Sequence, residues 1–155
     1  MGELRIELYQ PSYQSDFVRL NSEWIKTFFH LESSDRVVFN DPEGYILNKG
    51  GQIFFVVNKY GKPVGCCALM SHPEKGIYEL AKMAVTPSYQ GKGAGSLLGE
   101  AALAYARSNG YKKIFLEGNT RMEASIALYK KLGFKSVPKR GASYKRCNIM
   151  MELYL

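Results

Sequence analysis

The sequence predicts a mixed α/β protein, one sheet covered by helices. Three observations carry that prediction. Short apolar runs bounded by turn residues fill the first half, amphipathic repeats at three- and four-residue spacing mark helices, and the second half alternates helix, strand, helix, strand. At 155 residues, 46% hydrophobic and 13% aromatic, residues 1–155 are one domain's worth, able to bury about two thirds of the unfolded surface.

Leu4, Ile6 and Leu8 alternate with charged residues as a first strand, which Gln10-Pro11-Ser12 breaks. From Asp16 to about His30, the spacing of Phe17, Leu20, Trp24 and Phe28 predicts a helix. Residues 31–51 are irregular, with Ser33-Ser34-Asp35 and Asp41-Pro42-Glu43 starting short helical pieces. Ile53–Val57 and Val64–Met70 form a hairpin across residues 58–63, and a second turn at 72–76 leads into a strand from Ile77 to Val85. A turn from Thr86 to Lys92 precedes a small-residue helix from about Gly93 to Ser108, stopped by Asn109-Gly110. Lys113–Glu117 is a strand. Thr120 and Glu123 are placed as a capping box opening a helix to Leu132, which Gly133 closes. Cys147–Tyr154 is the last strand.

Composition excludes several classes. A charged fraction of 23% with many aromatics is not that of a disordered chain. No apolar stretch approaches the ~20 residues of a membrane helix. Glu3 and Glu7 lie where a secretory signal would be apolar, and Met1-Gly2 is followed by Arg5-Ile6 where a myristoylation signal wants Ser or Thr. The expectation is a cytoplasmic protein. Cys66, Cys67 and Cys147 have no zinc-site spacing, so no metal is expected, and they read as buried thiols of a reducing compartment. The net charge of +7 is uneven: residues 1–78 sum to −1 and residues 79–155 to +8. That split suits a polyanionic partner for the second half.

The chemistry is concentrated after Val85, where a strand ends, a glycine-rich turn follows and a helix begins. Gly91, Gly93 and Gly95 permit tight backbone turns and expose successive N–H groups at a helix N-terminus, where unpaired donors and the helix dipole favour an anion. Lys92 adds a positive charge. A pyrophosphate is the natural occupant. Gly91-Lys92 lacks the following Ser or Thr of a Walker loop, and Gly91-x-Gly93-x-Gly95 lacks the last spacing of a dinucleotide loop.

Met83-Ala84-Val85 followed by Gln90-Gly-Lys-Gly-Ala-Gly95 resembles the acyl-CoA-binding Q/R-x-x-G-x-G/A motif of the GNAT superfamily of N-acetyltransferases. Ile126-Ala-Leu-Tyr129-Lys-Lys-Leu-Gly133-Phe134 resembles its second signature, a helix ending in LYxKLGF. Both stand in the family's order with one strand between them. The resemblance implies a twisted, mostly antiparallel mixed sheet of about seven strands, helices on both faces, and an acyl-CoA cleft at a strand splay beside Val85. It implies acetyl-CoA as co-substrate, pantetheine along the backbone of Met83, Ala84 and Val85, and pyrophosphate on Gln90, Gly91, Lys92, Gly93, Ala94, Gly95 and Ser96. An N–H near Met83–Val85 would polarise the thioester carbonyl. The family's pantetheine-binding Asn falls here on Met122, and Asn119 is the substitute.

By the same resemblance Tyr129 is the general acid for the departing thiolate, against the alternative of a core tyrosine. Glu79 is the candidate base, acting directly or through water. Even spacing places it on the face of Met83 and Val85 unless a β-bulge intervenes. The alternatives for Glu79 are an ammonium anchor or a salt bridge to Lys82 or a C-terminal lysine; His72 and Glu32 are outlying candidates for the base. The acceptor site falls to residues 24–45 and 137–144. There the aromatics with Glu23, Glu32 and Asp35 suit a small amine, although Trp24 and Phe28 also read as core. Lys139, Arg140, Lys145 and Arg146 suit a carboxylate instead.

The function expected is therefore acetyl transfer from acetyl-CoA to a primary amine of a small molecule, in a ternary complex, with no nucleic acid or membrane partner. A protein N-terminal or lysine acetyltransferase and a non-catalytic acyl-CoA-binding module are the alternatives. The family often dimerises through its C-terminal strands, and Ile149, Met151, Leu153 and Leu155 form an apolar stripe that is either a homodimer surface or sheet core.

Overall fold

The computed structural model describes residues 3–155; Met1 and Gly2, and with them the reading of a missing myristoylation signal, lie outside the described residues. Seven strands, β1 (Arg5–Leu8), β2 (Gln52–Val57), β3 (Pro63–Ser71), β4 (Ile77–Val85), β5 (Lys113–Gly118), β6 (Lys135–Val137) and β7 (Ile149–Tyr154), form one sheet in the order β1-β2-β3-β4-β5-β7-β6. Only β4 and β5 run parallel. The mixed, mostly antiparallel sheet of seven strands is as expected. Its β6 is an addition: three residues carry too little alternation to announce a strand.

Helices cover both faces. On one face α1 (Gln14–Phe28) and α2 (Ser33–Asn40) bury Phe17, Leu20, Ile25 and Phe39 against Ile53, Phe55, Cys66, Ala68 and Ala84. A short α3 (Pro42–Tyr45) follows. On the other face α4 (Ala94–Ser108) and α5 (Glu123–Leu132) pack Leu98, Ala102, Ala106 and Tyr129 against Phe54, Leu69, Leu80, Ile114 and Leu116. The small residues of α4 let α5 come close, since a Cβ at Gly99 would stand 2.5 Å from Leu132 Cδ1.

Two details depart from expectation, and one open alternative is decided. The helix at 123–132 has Met122 as its N-cap and no side-chain cap. The Thr120 hydroxyl instead accepts from Asn148 Nδ2 at 3.1 Å, so a tertiary partner takes the capping oxygen. The last strand starts at Ile149 rather than Cys147. In the C-terminal stripe, Met151 is buried and Leu153 and Leu155 pack on the α4/α5 core, which makes the stripe sheet core.

The decisive irregularity lies in β4. Ala68 pairs with Ala81 and Cys66 with Ala84, so Lys82 and Met83 together oppose Cys67: a β-bulge. Lys82 has φ +57, the left-handed region that costs a side-chain-bearing residue about 1–2 kcal/mol. All three cysteines are free and buried, and burial pushes the Cys66 thiol up to about 12. Among the described residues no helix is long and apolar enough to cross a membrane.

Candidate active site

Beside the bulge the sheet opens. Pairing of β4 with β5 covers only Ile77–Glu79 against Lys113–Phe115, while β5 stays paired with β7 along its whole length. Beyond Glu79 the two parallel strands part, and a cleft of about 500 Å3 fills the gap. Every site residue expected from sequence lines it except Lys92. That ammonium lies over the Tyr89 ring, 5.2 Å from its centroid, outside the lining.

On the α4 side the cleft ends at the glycine turn and the N-terminus of α4. Gly91 (φ +76) and Gly93 (φ +88) occupy left-handed conformations and have open space where a Cβ would point. Gly93 is the N-cap of α4 without a side-chain cap, and the first intrahelical bond runs from the Leu97 N–H to the Gly93 carbonyl at 3.0 Å. The N–H groups of Ala94, Gly95 and Ser96 therefore precede the helix's own hydrogen bonding and face the cleft's end with the positive pole of the dipole. The Gln90 Nε2 donates to the Val85 carbonyl at 3.0 Å and ties the loop to the strand.

The bulge decides which face each β4 side chain takes. Before it, Tyr78 and Leu80 face α4 and α5; after it, Met83 and Val85 do. Glu79 and Ala81 stand opposite Met70 and Ala68, which face α1 and α2. Glu79 thus lies across the sheet from Met83 and Val85, and the same-face expectation is overturned by the one extra residue. Burial and the neighbouring Glu117 carboxylate push Glu79 up to about 7, against the pull of Lys82. Tyr129, 8% exposed on α5, lines the cleft from the opposite face with its ring edge-on to Phe134. Burial raises its hydroxyl well above the usual phenol range, so it stays protonated.

On the α1/α2 side Trp24, Phe28, Phe29 and Tyr144 wall the cleft around Glu79. The apolar stripe of α1 runs from core (Phe17, Leu20) into this wall, and Phe28 is 41% exposed. Beneath the wall is a buried charge cluster. Asp35, fully buried, accepts from Lys82 Nζ, Arg146 Nη1 and Arg146 Nη2, each at 2.8 Å, and from the Glu32 N–H at 2.9 Å. Lys82 also donates to the Tyr144 hydroxyl at 2.8 Å. Arg146 is further paired with Glu32 at 3.3 Å. Asp35, Glu32 and Arg146 are consequently spent on one another, which removes them as ligands for an acceptor's ammonium or carboxylate. His72 Nδ1 accepts from the Glu74 N–H at 3.0 Å, and neither His72 nor Glu32 lines the cleft.

Asn119 lines the cleft with its amide already engaged, Nδ2 on the Arg146 carbonyl at 2.7 Å and Oδ1 on the Arg121 N–H at 2.8 Å. Two further residues emerge only in three dimensions. Glu117 faces Glu79 and accepts from the Ser143 and Tyr144 N–H groups at 2.9–3.2 Å; its opposite parity to Ile114 and Leu116 was the available signal. Arg121 reaches over the Phe29 ring (5.1 Å) and donates to the Phe28 carbonyl at 3.2 Å. Among the described residues no group of three His, Cys, Asp or Glu is arranged to hold a metal ion.

A model of the Acetyltransferase (GNAT) family matches residues 6–134. The N-acetylaspartate synthetase of Xenopus tropicalis is 37% identical over 108 residues, 70% of this chain and 40% of that protein. The chain spans about a third to just over half the length of the relatives it matches. Among solved structures, a GNAT-family acetyltransferase from Staphylococcus aureus Mu50 superposes with TM-score 0.88 at 19% identity, over 97% of this chain and 98% of that one. A GNAT superfamily phosphinothricin acetyltransferase from Sinorhizobium meliloti, solved in complex with AcCoA, superposes with TM-score 0.78 at 13% identity, over 99% and 89%.

Proposed function

The chain belongs to the acetyltransferase (GNAT) family, and on that premise we propose that residues 1–155 act as one domain moving an acetyl group from acetyl-CoA directly to a primary amine of a small molecule. The observation that carries the reading is a cleft crossing the sheet. It joins an anion cradle on the α4 face to an aromatic chamber holding Glu79 on the other.

Acetyl-CoA suits the cradle because Gly91 and Gly93 leave an open backbone surface and three unspent N–H groups at the α4 N-terminus for a pyrophosphate. When bound it supplies an acyl group activated as a thioester. Gly91, Gly93, Ala94, Gly95 and Ser96 hold the phosphates, with Lys92 and Gln90 supporting the loop. The backbone of Met83, Ala84 and Val85, left without a sheet partner on the β5 side, holds the pantetheine and polarises the thioester carbonyl. Asn119 keeps the wall of the arm's channel in place through its bonds to residues 121 and 146.

Glu79, ionised, takes a proton from the acceptor's ammonium and leaves a neutral nitrogen nucleophile, directly or through one water. Its raised position suits that task, since a base poised near neutrality can both take and release a proton. The neutral nitrogen would bond to the acyl carbon as the carbon–sulfur bond breaks; Tyr129, protonated, would give its hydroxyl proton to the departing thiolate and recover the proton that the new amide nitrogen sheds. The chamber's aromatic walls favour a small acceptor over a polypeptide. The N-acetylaspartate synthetase relative supports the same choice, since its name is that of an enzyme acetylating an amino acid. The free, buried thiols suit a reducing compartment such as the cytoplasm.

Thiol release from acetyl-CoA across polyamines, amino acids, aminoglycosides and short peptides tests this. One amine class should respond, and Tyr129→Phe should lower its turnover about 10²–10⁴-fold. Absence of any rise in melting temperature with acetyl-CoA overturns the cradle. Response to peptides alone moves the acceptor to a protein.

A further inference from the structure

We propose that the acceptor carries a carboxylate beside its amine and that Arg121 grips it. This rests on the transfer reading above. Two guanidinium groups and no lysine line the cleft among the described residues. Arg146 already has its charge paired: its two terminal nitrogens meet Asp35, one of them meets Glu32, and its Cζ lies 4.4 Å from the Tyr144 centroid. Arg121 takes part in none of the ion pairs. It is nonetheless held in place, with one Nη1–H on the Phe28 carbonyl and its face over the Phe28 and Phe29 rings. A guanidinium has five N–H donors, so most of its fork is left for a planar anion.

The surroundings fit an amine that is also an acid. Arg121 and Glu79 line one cleft, an unpaired cation and a base that takes an ammonium proton, so a zwitterion satisfies both. The Trp24 indole walls the same chamber. Near Glu79, Glu117 is bonded to backbone N–H groups and Asp35 and Glu32 are bonded to Arg146; Glu123, at the start of α5, also lines the cleft.

Trp24 is the only tryptophan and reports on the chamber directly. Its fluorescence is followed in CoA-loaded protein while α-amino acids, each against its own α-carboxamide, are titrated in. An amino acid should bind roughly 10- to 100-fold more tightly than its carboxamide, the worth of a charge-assisted hydrogen-bond pair. In Arg121→Gln the acid-to-amide ratio should collapse towards one, and in Arg121→Lys it should fall part of the way, because a point charge cannot bind bidentately. A purely structural Arg121, fastening the α1 C-terminus, would lower stability and leave the ratio intact; that result overturns the proposal. Equal binding of acid and carboxamide to the wild type overturns it as well. So does turnover of uncharged amines or polyamines with no amino acid bound, an outcome that leaves acetyl transfer standing. Failure of acetyl-CoA to raise the melting temperature strikes the transfer reading itself.

Discussion

Replacing Asp35 with asparagine should unfold more than it spares. The carboxylate is fully buried and accepts four hydrogen bonds, three of them from cations at 2.8 Å. Asparagine keeps one oxygen and turns an NH₂ towards an ammonium or a guanidinium, so at least one cation loses its partner away from water. Breaking a buried pair by removing one member costs about 3–5 kcal/mol, against about 5–15 kcal/mol for a whole domain. For a chain of this size that is a fall in melting temperature of roughly 6–20 °C. Denaturant midpoints of wild type and Asp35→Asn at pH 7 measure it. The pH dependence supplies an independent check. The cations hold Asp35 far below the usual carboxylate range although burial works against them. With its folded value depressed, the stabilisation is complete above the unfolded value of about 3.9 and drains away as pH falls through the folded one. Wild type should therefore shed this part of its stability in acid, and Asp35→Asn should not. A loss below about 1 kcal/mol at pH 7, or equal acid slopes, would show that water screens the cluster and refute the reasoning.

Glu79→Gln should lower turnover about 10²–10⁴-fold and abolish the acidic limb of the kcat/KM profile, which in wild type should rise to a plateau above about pH 7. Because Glu79 is raised in the fold, its contribution to stability is lost as pH climbs through 7, so Glu79→Gln should gain stability relative to wild type towards pH 9. Gly93→Val should weaken acetyl-CoA binding, measured by calorimetry, since a β-branched residue at φ +88 strains the turn that aims the three N–H groups. In native protein Cys66 and Cys67 should resist a thiol-specific disulfide reagent, reacting only after unfolding, because burial keeps both as thiols.

Sequence periodicity reaches the elements whose faces are simple. Phe17, Leu20, Trp24 and Phe28 mark α1, and the glycines of 91–95 mark the turn into α4, because each follows from local geometry alone. Where a tertiary partner competes for a local group, the pattern fails. Thr120 and Glu123 have capping-box spacing, yet Asn148 takes the hydroxyl. Arg146 reads as a free cation until Asp35 and Glu32 arrive from over a hundred residues away. Arg121 carries no periodic signal, since its importance comes from the aromatic pair that α1 brings to it.

The bulge at Lys82 is the hardest feature to read and the one on which the site depends. Local propensity argues against a left-handed lysine, and nothing in the run Glu79-Leu-Ala-Lys-Met-Ala-Val85 marks a break in alternation. The strain is held by the ammonium's bonds to Asp35 and the Tyr144 hydroxyl, partners supplied by α2 and the segment before β7. Without the extra residue, Glu79, Met83 and Val85 would share one face, and the proposed base and the proposed pantetheine channel would crowd the α4 side. With it, Glu79 faces the aromatic chamber while the strand's next residues face the cradle. In the function proposed above, the acceptor would approach from one side of the sheet and the acyl donor from the other, meeting where β4 and β5 part. A single inserted residue, fastened by the buried Lys82–Asp35 pair, thus puts Glu79 and the glycine turn on opposite faces of the sheet, the separation the proposed transfer requires.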